Sequence, residues 1–88
     1  MSQYLGKQFD IMCLLGTMTC YNRAVLANNM EEANVAKQDC EIMAKIISRL
    51  GQNYNPEIRL REHRLADNTV VNLYDHVFIN GLRYTTNA

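Results

Sequence analysis

Apolar residues recur every three or four positions before Pro56 and, for a stretch, every second position after it. The first period belongs to helices and the second to strands, so this switch divides the chain into a helical part and a stranded part. Ala33, Ala36, Cys40, Met43, Ile47 and Leu50 form a narrow apolar seam, while Glu31, Lys37, Gln38, Glu41, Lys45 and Arg49 fill the positions between them. The spacing predicts an amphipathic helix over residues 30–50. Asn29, followed three residues later by Glu32, has the form of an N-cap with a reciprocal partner. Glu31 and Glu32 suit the positive end of the helix dipole, Lys45 and Arg49 suit the negative end, and Gly51 is a natural stop. Small and flexible side chains in the seam let a neighbouring helix approach closely.

That neighbour is predicted over residues 3–27. Ser2 can cap it, and Leu5, Phe9, Met12, Leu15 or Gly16, Thr19 and Leu26 follow one face. Ile11, Leu14, Met18 and Val25 occupy adjoining faces, so the helix is apolar around much of its circumference and needs cover on more than one side. Asn28-Asn29 interrupts it, which makes residues 3–51 an antiparallel helical hairpin.

Pro56 pushes Asn55 out of helical geometry, and Gln52–Asn55 reads as a linker. Beyond it Ile58 and Leu60 alternate with Arg59, Arg61 and His63, Ala66-Asp67-Asn68 supplies a turn, and residues 69–79 are rich in β-branched and aromatic side chains. Asn80-Gly81 between Val77-Phe78-Ile79 and Leu82-Arg83-Tyr84 is a strong two-residue hairpin signal. Residues 57–86 are thus a meander of three antiparallel strands, with a break at Asp75-His76. Val70, Leu73, Tyr74, Val77 and Phe78 also fit helical spacing, with Gly81 as the stop, so a helix competes for that segment. The expected fold is α+β, one domain over 1–88: a helical hairpin packed on a small antiparallel sheet.

Composition narrows the function classes. Of the 88 residues 48% are apolar and 20% charged, as in folded globular chains and unlike disordered ones. A chain this short gains only marginal stability from its own core, so oligomerisation helps it. Nine basic residues balance nine acidic ones, five against five up to Pro56 and four against four after it. General attraction to nucleic acid or to an anionic membrane is therefore not expected. The start of the chain lacks the basic and apolar regions of a secretory signal, and the longest strongly apolar run, Ile11–Leu15, is too short to span a bilayer. Cys13, Cys20 and Cys40 are odd in number, without CxxC spacing, and are expected to be buried reduced thiols. A cytoplasmic location follows as the expectation, the host cytoplasm if the protein is viral.

Chemistry-bearing constellations are sparse. Phosphate-cradling glycine clusters and metal-ligand spacings do not occur, and neither a cofactor nor a metal is expected. Two isolated histidines, His63 and His76, lie near Asp67, Asp75 and Glu62 in the sequence; a small hydrolase built around His76 is the least favoured reading. Arg59, Arg61 and His63, with Arg64 beside them and Tyr74 as a stacking platform, are expected to form a partner-binding strip for an anion. A solvated, charge-protected sheet edge explains the same residues. Met12, Leu15, Met18, Cys40, Met43 and Ile47 are the expected oligomer interface. The ten asparagines, the short chain and the lack of motifs resemble small accessory proteins of bacteriophages, including those that inhibit host enzymes or defence systems. The expectation is a non-enzymatic, homo-oligomeric interaction protein that binds a host macromolecule or a small anionic ligand. Its alternative is a nucleic-acid-binding regulator that uses the arginine strand.

Overall fold

The computed structural model describes residues 3–86, with side chains described for residues 7–86. Two antiparallel helices, α1 (Gln3–Leu26) and α2 (Met30–Ser48), precede an antiparallel sheet of β1 (Glu57–Arg64), β2 (Val70–Ile79) and β3 (Leu82–Thr85) in the order β1-β2-β3. The architecture is α+β, as the change of period predicts, and residues 70–79 are a strand rather than a helix. Ser2, the expected cap of the first helix, lies outside the described residues.

Each connection has a local cause. Asn28 adopts a left-handed φ of 58°, its N–H donates to the Val25 carbonyl (3.0 Å), and the Asn29 N–H donates to the Ala24 carbonyl (2.8 Å). This pair of bonds is a Schellman ending, completed by an asparagine because Asn tolerates left-handed geometry. Asn29 then caps α2. Its Oδ1 accepts from the Glu32 N–H at 3.2 Å, while its Nδ2 donates to Glu32 Oε2 at 2.9 Å. The expected reciprocal cap forms, although through the Asn29 amide and not its backbone N–H. The Gln52–Tyr54 stretch of the linker closes as a 3-10 turn, and the Asn80 N–H donates to the Asn53 carbonyl (2.8 Å), tying the hairpin tip to it. Asn80 (φ 52°) and Gly81 (φ 77°) both have positive φ, the requirement of a type I′ turn.

The core lies where α1 and α2 meet β2. Ile11, Leu14, Met18, Cys40, Ile47, Tyr74, Val77 and Ile79 form one buried cluster, and Ala24, Val25, Ala33 and Leu73 a second. Of the apolar faces that periodicity marks on α1, the one turned inward is Ile11, Leu14, Met18 and Val25, whereas Phe9, Met12 and Leu26 are exposed. The sheet and α2 cover one side of α1, and that side is set by the residues nearest to β2.

Asn22 lies within the buried face of α1. Its Nδ2 donates to the Tyr74 carbonyl and its Oδ1 accepts from the Tyr74 N–H, both at 2.8 Å. β3 pairs with β2 only over His76–Ile79, so Tyr74 stands beyond the end of that ladder. One carboxamide therefore supplies both the donor and the acceptor that a neighbouring strand would have provided. Replacing Asn22 by Leu should leave the buried Tyr74 N–H unpaired and its carbonyl with only the longer bond from the Thr86 hydroxyl (3.4 Å), and cost about 1–3 kcal/mol, read as a lower urea midpoint. An unchanged midpoint would show that water reaches Tyr74.

Candidate functional site

β1 and β2 pair in register from Glu57↔Phe78 to Arg59↔His76 and again from Leu60↔Tyr74 to Arg64↔Val70, leaving Asp75 as an extra residue. This β-bulge sits where the sequence suggests a break. Bulges re-aim side chains and tighten strand twist, and here the bulge gathers the strongest polar cluster of the sheet. Nδ1 of His76 is 2.6 Å from Oδ2 of Asp75, and Nη1 of Arg61 is 3.3 Å from Oδ1. An ionised carboxylate can only accept, so His76 donates through Nδ1–H. The His76 ring meets Phe78 edge-on at 5.1 Å. His76, with Arg61 on the other oxygen, holds the Asp75 carboxyl below the ordinary carboxylate range.

The expected cationic strip is placed differently from a bare row of positive charges. Arg59 stands opposite His76 and pairs with Glu57 at 3.7 Å in an exposed contact. Arg61 stands opposite Leu73 and is engaged by Asp75, and His63 stands exposed opposite Val71. Arg64 is exposed at the far end of β1, and Tyr74 is buried among Tyr21 and Cys40 instead of presenting a stacking surface. Both Arg59 and Arg61 thus meet a carboxylate of the same protomer, and Tyr74 is unavailable to a ligand. Among the described residues, no three His, Cys, Asp or Glu side chains group as a metal site, and no helix is long and apolar enough to cross a membrane.

The expected oligomer interface is also redistributed. Met18, Cys40 and Ile47 are buried in the protomer's own core, so they present nothing to a second copy. Leu15 and Met43 are half-buried and packed against that core, while Met12 is exposed. The small seam of α2 is spent on α1. What remains outside includes Phe9 (66% exposed) and Met12 (71%) on α1 and Val35 (56%), Ile42 (55%) and Ile46 (37%) on α2, with Leu26 and Met30 near the helical turn and Leu60, Val70 and Leu82 on the sheet also exposed. Asn22 was missed. A lone carboxamide four residues after Met18 on an apolar face was its only signal.

All three cysteines are free thiols. Cys40 is buried, and burial pushes its thiol up, against the opposing pull of Thr17 and Tyr74. Cys20 is exposed and Cys13 half-buried, which corrects the expectation that all three are buried. No protein-family model, curated protein or solved structure matches the chain.

Two outcomes are expected. With a thiol-specific reagent at neutral pH, Cys20 should be labelled in the native protein and Cys40 only on unfolding, as peptide mapping would show. Because the folded pKa of Asp75 is depressed, its contribution to stability is full above the unfolded carboxylate value of about 3.9 and is lost as pH falls through the lower folded value. Urea midpoints at pH 3–6 should show a smaller acid loss for Asp75→Asn than for the wild type. Some loss should persist, because the Thr69 N–H also holds Asp67 low.

Proposed function

We propose that the protein is a non-enzymatic, homo-oligomeric interaction protein that associates through the outer surface of its helical hairpin. One observation carries this reading: Phe9, Met12, Val35, Ile42 and Ile46 are large apolar side chains left outside after α1, α2 and the sheet have packed. Single exposed apolar residues are ordinary, but groups of them along helix faces are the usual mark of a protein-binding surface. A chain of 10.1 kDa also has most to gain from association, since its own core is small. An accessory or inhibitor role of the phage type, exercised on a macromolecule of the host cytoplasm, would use the same exposed apolar residues. Size-exclusion chromatography with light scattering at about 10–200 µM should report a dimer or larger, at concentrations where interfaces of modest size are populated. A mass of 10.1 kDa at every concentration would overturn the reading.

A second reading, binding of a single-stranded nucleic acid on the outer face of the sheet, has one observation in its favour. Arg59 stands opposite His76, and Arg83 stands opposite Phe78, so guanidinium groups on β1 and β3 flank an aromatic pair on β2. Anisotropy of a labelled oligonucleotide tests it. Binding should weaken steeply with salt and fall at least tenfold in the Arg59→Gln, Arg83→Gln double variant; no binding at low salt would remove it.

A further inference from the structure

Val35, Ile42 and Ile46 lie at i, i+7 and i+11 on α2, and at 100° per residue they fall within a sector of about 40°. They therefore form one stripe along the helix and not scattered contacts, and all three are exposed. The charges beside the stripe are segregated by position. Glu31, Glu32 and Asp39 flank it towards the N-terminal end, and Lys45 and Arg49 towards the C-terminal end. Lys37 and Glu41, which break the segregation in the sequence, project more than about 100° away from the stripe on the same helical geometry.

We infer that this stripe is occupied by the same stripe of a second copy, laid antiparallel. The inference rests on the self-association proposed above and specifies its surface and direction. A parallel copy would place the acidic end beside an acidic end and the basic end beside a basic end. An antiparallel copy brings acid to base at both ends and opposes the two helix dipoles. With Ile42 at the twofold axis, Glu31 and Arg49 lie on the same flank of the stripe, on opposite sides of the axis along the helix, so Glu31 of one copy comes within about one helical turn of Arg49 of the other. Val35 and Arg49 are each seven residues away, so the aliphatic stem of Arg49 can cover Val35 of the second copy. The contact is self-complementary and closes on itself, which ends assembly at a dimer. Phe9 and Met12 lie on α1 and take no part.

Sedimentation velocity on the full chain, with thermal melting to verify folding, tests this. The wild type should sediment as a dimer, and Ile42→Glu should raise the dissociation constant about 100-fold with little change in melting, because Ile42 is exposed in the protomer. Glu31→Arg and Arg49→Glu should each weaken the dimer about tenfold, and the double variant should restore it, since the pairs are remade with signs exchanged. A monomeric wild type overturns both the inference and the self-association on which it rests. A dimer that survives Ile42→Glu but is lost in Met12→Glu overturns only the α2 placement. Loss in Ile42→Glu without rescue in the double variant overturns the antiparallel direction.

Discussion

The two hydrogen bonds between Asn22 and the Tyr74 peptide hold the helical and stranded halves in one relation. β2 is longer than β3, and every peptide of β2 beyond the end of β3 must find partners elsewhere or stand unpaired beside an apolar core. Asn22 provides a donor and an acceptor at the spacing of a strand edge, from a helix. That fixes the height of α1 against the sheet. It also sets Tyr74 with its ring 4.8 Å from Tyr21 and its hydroxyl beside Cys40, where burial, with Cys40 adding to it, pushes the phenol above its ordinary value. Hydrophobic burial alone would tolerate sliding of α1 along β2. A two-point bond to one peptide does not.

The bulge at Asp75 is the next consequence. Tyr74 is drawn towards α1 while His76 remains in the ladders with β1 and β3, and the extra residue between them absorbs the difference. Its carboxylate is then positioned to bind His76 on one oxygen and Arg61 on the other. Arg61 is thereby committed to the fold of the sheet.

The helical hairpin divides its hydrophobicity in a way that composition hides. Ala33, Ala36 and Cys40 give α2 a shallow inner side against which α1 fits closely, and Ile47 closes the far end. Because that inner side consumes the small residues, the aliphatic side chains left over, Val35, Ile42 and Ile46, are displaced to the outside of the same helix. A protomer that is fully packed on one face and apolar on the other has a reason to associate.

Much of this molecule is local chemistry and was readable as such. The period change at Pro56, the Asn29–Glu32 cap and the Asn80-Gly81 turn each depend on residues within a few positions of one another, and the structure has all three. The apolar faces of α1 and the expected oligomer residues are divided between inside and outside for one shared reason. Periodicity identifies a stripe but not what covers it, and Met18, Cys40 and Ile47 are covered within the protomer while Phe9 and Met12 are not. The pairing of Asn22 with Tyr74 spans 52 positions, and that of Arg61 with Asp75 spans 14. The sequence by itself determined the elements and their turns, because those follow from backbone geometry and short-range hydrogen bonds. Which faces are inside, which charges are already paired and which apolar stripe remains free were decided by the tertiary structure, because burial and ion pairing depend on distances that only the packed chain brings about.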